Sequence, residues 1–310
     1  MHLRSLNDFT KKELLEVIDT SLEIKNHPEK FEKAMKGKTL LMLFEKPSLR
    51  TRVSFETGMT RMGGHAIFYS IKDSPLGKKE SIEDTAKTAS RFVDIIMARL
   101  YKQEDLDALA ENSGVPVINA LTDKYHPCQI VADLLTIKEK KGKLKGLKLA
   151  YFGDSNNNVT HSLLLGCTMV GMNISVACPE GKQFEPQKDV LEKALKNAKE
   201  TGCKVEVLHD AFEAARNSDV VYTDSWMSYH IPEAEKDERI KIFNPFQVNE
   251  ALMKKAKPDA IFMNCLPAIR GMEQTAEVID GKQSVVFDEA ENRLHTQNAI
   301  MLALMKKREK

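Results

Sequence analysis

TLLMLFEKPSLRTRVSFETGMTRMGG (39–64) reads as a strand, a turn and a helix in immediate succession. Thr39–Phe44 is a short, nearly unbroken apolar run, the pattern of a strand covered on both faces. Pro47 resists helix, and Ser48 behind it is a good N-cap. Leu49, Arg50 and Thr51 then form a first helical turn, and the helix stops at Gly63–Gly64. The N–H groups of that turn have no partners inside the helix and carry the positive end of its dipole. With the Ser48 and Thr51 hydroxyls and the Arg50 fork they suit a phosphate. Cationic side chains normally favour the opposite helix end, so Arg50 and Arg52 call for an anion. The alternative is a surface helix start with its arginines in solvent.

The same alternation continues outward. Further strands are expected at 65–70, 94–100 and 115–120, with helices between, and a long helix over 126–141 ends at Gly142. The pattern restarts with strands at 147–154, 173–179, 204–210, 219–224, 260–267 and 284–289, and an apolar-striped helix closes the chain. Such alternation predicts an α/β fold of two doubly wound domains, each a mainly parallel sheet flanked by helices, joined by inter-domain helices. The expected divisions are 1–135, 136–289 and a C-terminal helix, 290–310, packing back on the first domain. Ligands of open α/β sheets bind beyond the carboxyl ends of the strands. Those ends carry Ser48–Arg52, Arg99, the loop to His126, Asp154–Asn158, Asp224–Ser228 and Asn264–Pro267.

Composition excludes several classes. The 310 residues carry a net charge of +1 and 29% charged residues, so no global field favours nucleic acid or membrane. The first residues lack the apolar core of a signal peptide, and no apolar run approaches the ~20 residues of a membrane span. Cys128, Cys167, Cys178, Cys203 and Cys265 are odd in number and form no Cys-x-x-Cys pair, which argues for reduced thiols, a cytoplasmic protein and no structural metal. The turn in LAYFGDSNNNVTHS lacks Gly-x-Gly-x-x-Gly, against a dinucleotide site.

HPCQ (126–129) places a histidine before a proline suited to the first helical position. His126 and Gln129 are then set to donate to a carbonyl or phosphate oxygen, the alternative being an ordinary surface or core histidine. Taken together, FEKPSLRTRVSFE, MAR (97–99), HPCQ, GDSNNN, NCLP and DEAENR stand in the order and spacing of the aspartate/ornithine carbamoyltransferases. The chain resembles that family from about Leu6 to Met305, and its ornithine branch most. The aspartate branch usually carries His-Pro-Leu-Pro where this chain has NCLP.

The resemblance implies a carbamoyl-phosphate domain and an amino-acid domain, no cofactor and no metal. It implies phosphate binding by Ser48, Leu49 through its backbone, Arg50 and Thr51, with Arg99 on phosphate and carbamoyl oxygen. It further implies that His126 and Gln129 position the carbamoyl group, that Cys265 and Leu266 (through its carbonyl) flank it, and that Arg293 reaches toward it. Asn157 or Asn158, Asp224, Ser228 and Tyr229 would bind L-ornithine, and Arg50, Thr51, Arg99, His126, Asp224 and Cys265 would serve catalysis. The expected assembly is a homotrimer or a multiple of one, with Lys78 or Lys79 offered to a neighbouring subunit.

Four departures stand out. Ser228-Tyr229-His230 replaces Ser-Met-Gly, Asn264 replaces a histidine, Leu49 replaces a threonine, and Pro75 stands near the usual glutamine of the loop 74–81. The first leaves open the same chemistry on another amine such as putrescine, and a reading of a different class is a catalytically silent ligand-sensing paralogue.

Overall fold

The computed structural model describes residues 2–71, 80–227 and 231–308. Contacts group the chain into two compact units, 1–135 with 291–310, and 136–290.

In the first unit the order is α1 (Lys11–Asn26), β1 (Thr39–Phe44), α2 (Leu49–Arg61), β2 (His65–Ser70), α3 (Ile82–Ala89), β3 (Ile95–Arg99), α4 (Gln103–Asn112) and β4 (Val117–Leu121). Helix α5 (Pro127–Lys141) follows, and its last turns belong to the second unit. The four strands form a parallel sheet in the order β2-β1-β3-β4. β3 and β4 are buried along their whole length, and β2, at the edge, alternates between exposed and half-buried. Leu43, Ile96, Ala98, Leu106, Leu109 and Val117 pack one side of the core.

The second unit runs β5 (Lys148–Phe152), α6 (Asn158–Val170), β6 (Asn173–Ala177), α7 (Lys188–Thr201), β7 (Val205–Leu208), α8 (Ala211–Ala215), β8 (Val220–Thr223), α9 (Lys236–Phe243), α10 (Glu250–Met253), β9 (Ile261–Met263) and α11 (Ala276–Ile279). Its parallel sheet has the order β7-β6-β5-β8-β9. Phe152, Val221, Phe262, Val248 and Val286 are core residues on one side. Helix α6 is buried throughout, with Asn157 capping its start and Gly171, at φ 80, ending it in the left-handed conformation that glycine adopts without steric cost.

Residues 284–289 are not a strand. Ser284 makes a single bridge to Phe262, and α12 begins at Val286 and runs to Arg308. SVVF has strand-like composition, yet Phe287 is exposed and Glu289 fully buried, so the segment buries a helical stripe rather than alternate residues. Long-range contacts decide here over local propensity.

Each sheet has one place where the strand order reverses. In the first it lies between β1 and β3, and in the second between β5 and β8. There the connecting helices leave on opposite faces, and a crevice opens beyond the strands' carboxyl ends. Among the described residues no helix is long and apolar enough to cross a membrane.

Candidate functional site

Beyond β1, Ser48 is extended (φ −158°) and its Oγ accepts from the Thr51 N–H at 3.3 Å, forming the expected N-cap of α2. Ser48 Oγ also donates to Thr51 Oγ1 at 3.2 Å. Phe44 lies opposite Arg99 across the β1–β3 ladder, so the register carries Arg99 to the same end of the sheet as the α2 turn.

Arg293 of α12, only 2% exposed, ties this end together. Its Nη2 donates to Thr51 Oγ1 at 3.2 Å, its Nη1 to Gln129 Oε1 at 2.6 Å, and its Nε to Gln297 Oε1 at 3.0 Å. Gln129 donates in turn to Asp133 at 2.8 Å, which fixes its amide orientation. Ser54 donates to the same Gln297 oxygen at 3.1 Å. Thus the openings of α2 and α5 are cross-linked through one buried guanidinium. Gln297 and Ser54 carry no signal in the sequence, because their importance arises only from contacts to residues far along the chain.

His126 is buried at the start of α5, and burial, then the charges of Arg293, Arg99 and Arg50, hold its pKa well below the usual histidine value. It is therefore a neutral imidazole at pH 7, a hydrogen-bond partner for an oxygen rather than a proton reservoir. Lys46 is half-buried, and burial together with the nearby Arg99 charge lowers it to about 8. Four cationic side chains thus bear on this end, an arrangement that suits an anion. Arg52 is not among them: it pairs with Glu56 at 3.3 Å and lies 3.8 Å over the Phe68 ring on the helix surface. Leu49 is 77% exposed, so its side chain takes no part in the hydrogen-bonded cluster while its backbone stays in the first turn. Cys128, in HPCQ, is pushed up to about 12 by burial and donates to the Asn119 carbonyl, which makes it an inert core thiol.

In the second unit the loops beyond β8 and β9 bring Asp224 and Cys265 together, with Sγ donating to Asp224 Oδ1 at 3.1 Å. Asn264 is fully buried and supports the Cys-Leu segment. Its N–H donates to Glu289 at 3.0 Å, its Nδ2 to Gln274 at 3.1 Å, and its Oδ1 accepts from the Leu266 N–H at 2.8 Å. Leu266 stands at φ 54, a strained conformation for a branched residue and one that clusters at ligand sites.

Asn157 is committed to the fold. Its Oδ1 accepts from Thr160 N–H at 2.8 Å, and its Nδ2 donates to the Tyr151 hydroxyl and the Asp154 carbonyl. Asn158, the first residue of α6, is 8% exposed. Asp154 pairs with Arg239, and both are buried. Ser228, Tyr229, Lys78, Lys79 and Pro75 lie outside the described residues. Among the described residues, no group of three or more histidine, cysteine or acidic side chains could hold a metal ion.

Comparison with known proteins gives a consistent picture. Residues 1–139 match the family model described as the carbamoyl-P binding domain of aspartate/ornithine carbamoyltransferase, and residues 145–304 match its Asp/Orn binding domain. An ornithine carbamoyltransferase from Thermococcus kodakarensis is 51% identical over 302 residues, 97% of this chain and 95% of that protein. One from Oceanobacillus iheyensis is 53% identical, covering 97% of this chain and 93% of that protein. The solved ornithine carbamoyltransferase of Pyrococcus furiosus superposes with a TM-score of 0.94 at 49% identity, covering 98% of this chain and 97% of that one.

Proposed function

This chain belongs to the aspartate/ornithine carbamoyltransferase family, and from that premise we infer that it transfers the carbamoyl group of carbamoyl phosphate to the side-chain amine of L-ornithine, giving L-citrulline and phosphate. The observation that carries the reading is the Arg293 cross-link between the α2 turn and Gln129, set among Arg50, Arg99 and a neutral His126.

The reaction needs such a set. A neutral amine attacks the carbonyl carbon, negative charge grows on the carbonyl oxygen, and the C–O bond to phosphate breaks with its electron pair leaving on phosphate. Preorganised donors aimed at both developing charges are commonly the largest catalytic contribution. Ser48, the Leu49 backbone, Arg50, Thr51 and Arg99 are assigned to phosphate. His126, as a neutral donor, and Gln129 are assigned to the carbamoyl group, and Arg293 holds Thr51 and Gln129 in place. Cys265 and the Leu266 carbonyl are assigned to the carbamoyl end. Residues 1–135 with 290–310 are thereby the carbamoyl-phosphate domain and 136–289 the ornithine domain.

The acceptor amine, with a free pKa of about 10.4, arrives as an ammonium and must lose a proton before attack. Asp224, hydrogen-bonded to Cys265, binds and orients it, and burial of the amine favours its neutral form. Asn158, Ser228 and Tyr229 are assigned to the rest of ornithine, while the internal hydrogen bonds of Asn157 make it a helix cap. An apolar surface on α2 and β2, with Leu49, Val53, Ile67 and Tyr69 all exposed, supports assembly into a homotrimer or a multiple of one, with Lys78 or Lys79 supplied to a neighbour. We place the enzyme in the cytoplasm, in keeping with five cysteines that form no disulfide.

The test is kinetic. Asp224→Asn and Cys265→Ala should each raise the KM for ornithine and alter the pH–rate profile, and Asp224→Asn should leave the KM for carbamoyl phosphate little changed. Profiles identical to wild type in both variants would remove Asp224 and Cys265 from the acceptor site.

A further inference from the structure

The peptide of Trp226 is gripped from both sides. Its carbonyl accepts from Arg239 Nε at 2.8 Å, and its N–H faces the carboxylate of Glu273 and favours the charged form of that group. Neither Arg239 nor Glu273 belongs to any motif that marks the site, yet both are buried, Glu273 to 1% exposure. Each reaches a second loop as well. Arg239 pairs with Asp154, in the turn after β5. Glu273 accepts from the Ile269 N–H at 3.2 Å, four residues beyond Cys265. The neighbouring Gln274 reinforces that link, accepting from Asn264 and donating to the Ile269 carbonyl at 3.2 Å. The loops beyond β5, β8 and β9 are therefore joined through one peptide, two residues past Asp224.

The tryptophan ring is equally fixed. It stacks on Phe243 with centroids 6.0 Å apart. A Cβ built on Gly153 would lie 3.2 Å from Trp226 Nε1, a tight contact, so the β5 turn packs closely against the ring. Glu273 is a costly choice for mere packing. It sits near Asp224, and burial, with a smaller contribution from the Asp224 charge, pushes its carboxyl up. An apolar residue of similar size would fill the space without that cost. What the carboxylate adds is a directed acceptor for two N–H groups on two different loops.

We propose that Glu273 and Arg239 are positioning residues for the acceptor amine, clamping the Trp226 peptide so that Asp224 stays aligned with Cys265. The clamp bears mainly on the second substrate, since the groups assigned to phosphate beyond β1 and β3 lie outside this network. The assignment rests on the reading of Asp224 and Cys265 as the acceptor end.

Steady-state kinetics with both substrates varied tests it, using Glu273→Gln, Glu273→Ala, Arg239→Lys and the double variant Glu273→Gln/Arg239→Lys, with circular dichroism to confirm folding. Glutamine is isosteric and keeps one acceptor oxygen, so a folded protein is available for measurement. Glu273→Gln should raise the acceptor KM about tenfold, Glu273→Ala should raise it further, and the carbamoyl phosphate KM should stay within about twofold. The double variant should lose less than the product of the two single effects, because a clamp opened at one jaw no longer holds. An unchanged acceptor KM in the single variants, a parallel rise in both KM values, or a fully multiplicative double variant would each overturn the clamp. Wild-type enzyme is assayed first with ornithine and other amines, and the variants with whichever amine it uses. A wild type that prefers another amine would overturn the ornithine reading while the clamp is still read on the amine used.

Discussion

Arg293→Lys is the perturbation that bears most directly on the phosphate end. Arg293 makes three directed hydrogen bonds, to Thr51, Gln129 and Gln297. Lysine retains the charge but not the planar fork, and an ammonium on a flexible stem cannot reproduce three acceptors set in those directions. A hydrogen bond to a charged group contributes about 1.5–3 kcal/mol. The bond to Thr51 is the one that orients the α2 turn, so at least one such contribution is expected to appear in carbamoyl phosphate binding. At about 1.36 kcal/mol per factor of ten, that is roughly a 10- to 150-fold rise in the KM for carbamoyl phosphate. The Gln129 and Gln297 bonds contribute to stability, so thermal unfolding should shift downward as well. The assay is citrulline formation at saturating ornithine, with circular dichroism to confirm folding at the assay temperature. A folded Arg293→Lys enzyme whose KM for carbamoyl phosphate rises less than about threefold, well under one charged hydrogen bond, would contradict a role for Arg293 in orienting the α2 turn.

Three further outcomes are expected. His126 carries a lowered pKa, so the folded protein binds fewer protons there than the unfolded chain. Its contribution to stability is present above about 6.5 and lost as pH falls below it. Between pH 7.5 and 5.5 wild type should lose about 1.4 kcal/mol that His126→Asn does not, read from chemical unfolding, and equal losses would contradict a neutral His126. Lys46, lowered to about 8, should make the KM for carbamoyl phosphate climb as pH passes 8, and Lys46→Arg should flatten that climb if the charge is what matters. Leu49→Thr should leave the KM for carbamoyl phosphate within about twofold, since only the backbone of Leu49 is assigned to phosphate, whereas Arg50→Ala should lower kcat/KM by about 100- to 1000-fold.

Much of the architecture was legible in the sequence because each βα unit carries its own punctuation. The run Thr39–Phe44, the cap at Ser48 and the stop at Gly63 describe β1 and α2 without reference to anything distant. The same holds for the capping Asn157 and the terminal Gly171 of α6. SVVF failed because a short apolar run is compatible with either period, and the burial of Glu289 against Asn264 and Tyr222 decides it from afar. Arg52 misled for a similar reason, since the Phe68 ring that accommodates it lies on another strand. The site divides in the same way. Residues at strand ends and helix starts, such as Arg99, His126 and Asp224, stand out by position. Their supports, Gln297, Glu289, Arg239 and Glu273, sit on helices and loops as unremarkable polar residues, and only tertiary contact shows what they hold.

Carbamoyl transfer to ornithine is tested by paired release of phosphate and carbamoylated product from carbamoyl phosphate with ornithine, putrescine, lysine and aspartate in parallel. Citrulline and phosphate are expected in equal amounts with ornithine, and rates lower by about two orders of magnitude or more with the other amines, whose missing or misplaced groups leave the acceptor site unsatisfied. Faster turnover of putrescine than of ornithine would contradict the acceptor, and no turnover with any amine would contradict the enzyme.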